Sequence, residues 1–136
     1  FTFGKGVLMA DGSDVTIFAT GVTVDFALTA RQLLANEGIS ARVVNIHTIK
    51  PLDKEIVLRA AAETGAIVVA EEHNIIGGLG SAVAETVCEA NPVPVVRVGV
   101  EDVFGRSGKV PALLEAYGLT PANIAAKAKV AVSLKK

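Results

Sequence analysis

Apolar positions along the chain fall into short unbroken runs, separated by stretches in which they recur every three or four residues. Val7-Leu8-Met9 and Val15 to Thr20 are two such runs, placed around the turn-rich tetrad Asp11-Gly12-Ser13-Asp14, and that spacing predicts a small hairpin. The second run is continuously apolar and rich in β-branched residues, as expected of a strand covered on both faces. Gly21 ends it. From Val24 to Asn36, Phe26-Ala27, Ala30 and Leu33-Leu34 recur at helical spacing, and Gly38 supplies the stop.

The next strand is predicted over Arg42 to Ile46, running into the loop His47 to Pro51. Asp53 is placed to cap a helix through Ile56, Val57, Ala60 and Ala61 that ends near Thr64-Gly65. Ala66 to Ala70 reads as a buried strand. It leads through Glu71-Glu72-His73 and the glycines Gly77, Gly78 and Gly80 into a helix over Leu79 to Ala90. Pro92 and Pro94 bracket the exit to a strand over Val95 to Val100. The loop Asp102 to Gly108 precedes a helix from about Val110 to Tyr117, and Thr120-Pro121 opens the last one. Strands alternate with helices, so the pattern predicts an α/β fold with a mainly parallel sheet, helices on both faces and an antiparallel edge strand from the hairpin. No repeat or linker divides residues 1–136, which read as a single domain.

Composition narrows the choices. Apolar residues are 51% and charged residues 20% of 136, which excludes disorder. The net charge of −1 leaves no electrostatic reason for a nucleic-acid partner. Cys88 is the single cysteine, so no internal disulfide or Cys-x-x-Cys metal pair forms, and a reducing cytoplasmic setting fits best. No apolar run approaches the roughly 18–20 residues of a membrane span, and Phe1 to Lys5 has no apolar core of a secretory signal. The first residue is Phe1, not Met, which predicts a segment of something longer.

Ligands of open α/β sheets bind beyond the carboxyl ends of the strands, so the loops there hold the candidate chemistry. The turn from Glu71 to Ser81 resembles a phosphate-binding turn, because free N–H groups at a helix start attract anions. Yet Val83 stands where a dinucleotide fingerprint would place a third glycine or an alanine. Ser81 as a helix cap, with glycines that permit tight strand-to-helix packing, is the competing reading. Glu72-His73 offers an acid/base pair or a subunit contact, though neighbours on a strand point opposite ways. In the loop Asp102 to Gly108, Ser107 or Gly108 starts the next helix, Phe104 fits the core and Arg106 is solvated or meets an anion. His47 reads as a structural histidine and Cys88, on an alanine-rich helix, as a small hydrophobe. No nucleophile elbow, Walker loop, zincin or EF-hand signature is present, and two histidines exclude a multi-histidine metal site.

Four segments taken together resemble one family, the C-terminal domain of transketolase-like, thiamine-diphosphate-dependent enzymes: DVTIFATG, ARVVNIHTIKPLD, VVAEEHNIIGGLGSAVAE and DVFGRSGKVPALLEAYGLT, in the family's order. The resemblance implies a three-layer α/β/α domain with a five-stranded, mostly parallel sheet and one antiparallel edge strand. It also implies two-carbon ketol transfer between sugar phosphates in a cytoplasmic enzyme, with thiamine diphosphate and magnesium held on other domains and none on this one. No Gly-Asp-Gly with the family's asparagine metal ligand is present, so no catalytic, cofactor or metal residue is assigned. The implied partners are the enzyme's own thiamine-binding and middle domains, in a homodimer or a hetero-oligomer of split subunits. Glu72, His73, Gly77, Gly78, Gly80, Ser81, Ser107 and Gly108 are then interface positions or, alternatively, an anion site. A 2-oxoacid dehydrogenase β-type subunit, a deoxyxylulose-phosphate synthase and a free-standing phosphate-binding module are the competing identities.

Overall fold

A computed structural model describes residues 5–21, 23–47, 52–74, 78–100 and 119–135. In chain order the elements are β1 (Val7–Ala10), β2 (Val15–Ala19), α1 (Thr23–Ala35), β3 (Ala41–Asn45), α2 (Lys54–Thr64), β4 (Ile67–Asn74), α3 (Leu79–Ala90), β5 (Val95–Val100) and α4 (Pro121–Ser133). The predicted helix over 110–117 and the loop 102–108 lie outside the described residues. The five strands form one sheet in the order β1-β3-β2-β4-β5. β1 runs antiparallel to β3, and the other three pairs are parallel.

Strand alternation sorts the core into two layers. Val15, Ile17 and Ala19 of β2, with Val68 and Ala70 of β4, pack against α1 and α4. Phe18 of β2, with Ile67 and Val69 of β4, packs against α2 and α3. All five residues of β2 are buried, as its unbroken apolar run requires of a central strand. The helix signals act where the sequence places them. Asp53 caps α2, accepting from Ile56 N at 3.3 Å, and Gly65 ends it at φ +73°, a left-handed turn favourable only to glycine. Thr120 caps α4, accepting from Asn123 N at 3.1 Å, with Pro121 at its first position.

The predicted hairpin does not form. β1 is an antiparallel edge strand, but its partner is β3, with Val7 opposite Asn45 and Leu8 opposite Val44. Both edges of β2 are already taken, by β3 and β4, so the segment 11–14 steps across the start of β3 instead. Gly12 makes this crossing possible: a Cβ there would lie 2.3 Å from the Ala41 carbonyl carbon. Ser40 N donates to Asp14 Oδ2 at 2.7 Å, and Asp14 N donates to Ser40 O at 2.8 Å, fixing the crossing. Cys88 lies on α3. It is exposed, because the buried stripe of α3 is Leu79, Val83 and Val87 and Cys88 follows one position beyond it.

Candidate functional site

The first parallel strand, β2, connects through α1 to β3 on one side, and the chain then returns through α2 to β4 on the other. The carboxyl ends of β2 and β4 therefore flank the topological switch point, where open α/β sheets hold their ligands. Two helices start there, α1 after Thr20-Gly21 and α3 after the glycine turn.

The strand period decides what reaches the start of α3. Ile67, Val69 and Glu71 fall on the face that packs against α2 and α3. Glu71 is 1% exposed. Its Oε2 accepts from Leu79 N at 2.9 Å and its Oε1 from Gly80 N at 3.2 Å. The N-cap residue of α3 is Gly78, which has no side chain to offer, so the cap comes from β4. Ser81 is two positions inside the helix and is not the cap. A carboxylate at a helix N-terminus gains from both the orphan N–H groups and the helix dipole. The place where a phosphate would sit thus holds an acceptor of the chain itself. Gly80 is tightly enclosed: a Cβ there would lie 2.5 Å from Cδ of Arg97 on β5.

The start of α1 is anchored by the hydroxyl of its own first residue. Thr23 is fully buried, and its hydroxyl donates to Ala70 O of β4 at 2.7 Å and accepts from Thr20 N at 3.0 Å. This ties the helix to the two flanking strands. Beside it, Thr20 Oγ1 is buried without a hydrogen-bond partner among the described residues, an uncommon condition for a buried hydroxyl.

The other sequence candidates separate. Glu72 and His73 lie on β4, within the part of the strand that outruns the predicted end at Ala70. Between Glu71 and Asn74 the pairing with β5 shifts register, a local bulge beside the turn. Gly78 and Gly80 open α3, whereas Gly77, Ser107 and Gly108 lie outside the described residues. His47 is exposed just beyond β3. Sequence reasoning missed the function of Glu71 and of Thr23. Period-two counting back from Glu71 to Val69 and Ile67 would have aimed the carboxylate at α3.

Chemically, the rim offers capping and packing. Among the described residues no group of three or more His, Cys, Asp or Glu could hold a metal ion. The first two amides of α3, one of the two helix starts that could take a diphosphate, already meet the Glu71 carboxylate, so this start does not fit the diphosphate of thiamine diphosphate. No helix of the described residues is long and apolar enough to cross a membrane.

The first strand enters the sheet at the same rim. β1 is antiparallel, so Val7 lies beside Asn45 at the carboxyl end of β3. Gly6 N donates to Asp53 Oδ2 at 2.9 Å while the other oxygen of Asp53 caps α2. One carboxylate thereby holds the incoming chain and a helix start together.

Comparison with known proteins places these features. The family model described as "Transketolase, C-terminal domain" matches residues 4–124. The 6-deoxy-6-sulfo-D-fructose transketolase subunit of Clostridium sp. (strain MSTE9) is 54% identical over 124 residues, which are 91% of this chain and 38% of that protein. The 1-deoxy-D-xylulose-5-phosphate synthase of Heliobacterium modesticaldum is 47% identical over 127 residues, 93% of this chain and 20% of the synthase. A solved split-gene transketolase, described as an inactive beta4 tetramer, superposes with a TM-score of 0.95 at 51% identity, covering 100% of this chain and 45% of that one. The chain spans less than half the length of each of these proteins.

Proposed function

The chain belongs to the transketolase family, as the C-terminal domain of such a protein, and from that premise we propose that it acts as an assembly domain whose carboxyl rim packs on the rest of the enzyme. The observation that carries this reading is the inward closure of the rim. Glu71 satisfies the first amides of α3, a helix start at which a fold of this type would hold a ligand, and the Thr23 hydroxyl ties the start of α1 to Ala70 O. What the rim presents outward is therefore a surface for packing.

The complete enzyme would transfer a two-carbon ketol unit between sugar phosphates, with thiamine diphosphate and magnesium bound on its other domains. Cytoplasmic location and assembly as a homodimer, or as a hetero-oligomer of split subunits, belong to the same proposal. Glu72, His73 and the glycine turn at Gly78 to Ser81 would lie within the contact. The relatives differ by name in their chemistry, one a subunit of a 6-deoxy-6-sulfo-D-fructose transketolase and the other a synthase of 1-deoxy-D-xylulose 5-phosphate. Substrate choice would accordingly rest with the parts of the enzyme outside this domain, and a place in pentose phosphate metabolism is one version of it.

Calorimetric titration of the 136-residue chain with thiamine diphosphate and Mg²⁺ should show no binding, and the chain should transfer no ketol unit. Activity should appear when the preceding domains are supplied. Micromolar affinity of the chain alone for the cofactor would overturn the assembly reading. A phosphate at the glycine turn would have to displace the Glu71 carboxylate, so a thermal-shift panel of phosphates should be flat.

A further inference from the structure

Among the described residues six large hydrophobic side chains are exposed, and three of them are consecutive on β1: Val7 at 38%, Leu8 at 53% and Met9 at 43%. This strand is the sheet's outer edge on that side, so one row of its backbone N–H and C=O groups faces away from β3. The usual deterrents to further pairing are weak. The strand Val-Leu-Met-Ala has no charge and no proline. A bulge is present, since Leu8 and Ala10 are two residues apart but face Val44 and Val43, which makes Met9 the extra residue. Met9 is nevertheless turned outward as an apolar side chain. An apolar, uncharged edge of this kind is ordinarily covered in the working protein.

Resting on the function proposed above, we infer that the outer edge of β1 is the docking surface for the part of the enzyme that precedes this domain in its relatives. Three observations select that occupant. The matched family segment is a C-terminal domain, and this chain is only 38% of the split subunit and 45% of the solved chain, so most of those proteins lies on its N-terminal side. β1 is the strand through which the chain enters, so anything preceding it is delivered to this edge at high effective concentration. Asp53, nine-tenths buried, grips Gly6 N at 2.9 Å and so fixes the direction of the incoming chain along the rim. The occupant is an apolar protein surface, joined to β1 by side-chain packing and by its free backbone groups.

Hydrogen exchange tests this. The Val7 to Ala10 segment is followed in the 136-residue chain and in the full-length enzyme from the same gene. Exchange should slow at least about tenfold in the full-length enzyme. Leu8→Lys with Met9→Lys should leave the melting of the 136-residue chain unchanged, since both side chains are exposed, but should abolish the slowing. Equal exchange in the two proteins, with the full-length enzyme active, would overturn the inference and leave the assembly reading standing. Protection in the 136-residue chain that grows with its concentration would assign the edge to a second copy instead and also overturn it. Protection of the segment in a full-length enzyme without ketol transfer would remove the proposed function while keeping the docking surface.

Discussion

The two ends of the sheet are closed by opposite means. At the amino end the connection from β1 to β2 is held by surface groups. Arg42 meets Asp11 at 3.0 Å and Glu63 at 2.6 Å, and Lys135 Nζ donates to Asp14 O at 2.9 Å. Most of these charges remain in contact with water. At the carboxyl end a buried carboxylate and a buried hydroxyl turn inward to backbone groups. Exposed ion pairs are worth little, because water screens them and the side chains lose freedom. Buried bonds to a carboxylate are worth more, and leaving their donors unmet is costly. The carboxyl end is thus the one at which a buried carboxylate meets the first amides of a helix.

The sharpest way to break this comparison is at Glu71. Removing the carboxylate in Glu71→Ala leaves Leu79 N and Gly80 N buried without acceptors, at a cost of about 3 kcal/mol. Glu71→Gln keeps one oxygen and should cost about half as much. Urea unfolding of the 136-residue chain measures both. Glu71→Ala also empties the start of α3, so inorganic phosphate should raise the melting temperature of the variant and not of the parent. A variant as stable as the parent, and indifferent to phosphate, would mean that the carboxyl end is no stronger than the surface network opposite.

Glu71 also shows where the sequence stops being readable. Helix caps are local, so Asp53, Gly65 and Thr120-Pro121 could be placed from their neighbours alone. α3 and β5 match their predicted ranges as well, because glycines open the one and Pro92 and Pro94 separate it from the other. Strand pairing is not local. The nearness of Val7-Leu8-Met9 to Val15 favours a hairpin, and only the demand of β2 for two parallel neighbours sends β1 to the far side of β3. The need for glycine at position 12 follows from that crossing and is invisible before it. The meeting of the Glu71 carboxylate with the first amides of α3 likewise depends on how β4 and α3 pack, which the residue types do not specify.

At the amino end the strongest element is therefore steric and not electrostatic. Gly12→Ala puts a methyl group 2.3 Å from the Ala41 carbonyl carbon, so the backbone must shift, and the variant should lose about 2 kcal/mol in urea unfolding. Gly80→Ala is a milder contrast, because the colliding atoms belong to the side chain of exposed Arg97. Back at the rim, Thr23→Val keeps shape and removes the hydroxyl that joins α1 to Ala70 O and Thr20 N. A loss of about 1 kcal/mol is expected, seen as faster hydrogen exchange at the start of α1. If Gly12→Ala were harmless while Thr23→Val were severe, the path of β1 over β3 would need revision.

The smallest expected effect tests the surface network by pH. The Gly12 N–H and then the Arg42 guanidinium hold the Asp11 carboxyl below its ordinary range. A carboxyl with a lowered folded pKa contributes its stability fully above the unfolded value, near 3.9 for aspartate. It loses that contribution as the pH falls from there through the lower folded value. Asp11→Asn should accordingly match the parent in acid and fall slightly below it at neutral pH, the gap opening as the pH rises through that interval. Because Asp11 is exposed, high salt should narrow the gap through its ion-pair component, whereas the cost of Glu71→Ala should survive salt almost intact. A salt response at Glu71 as large as at Asp11 would erase the distinction between a buried closure and a solvated one.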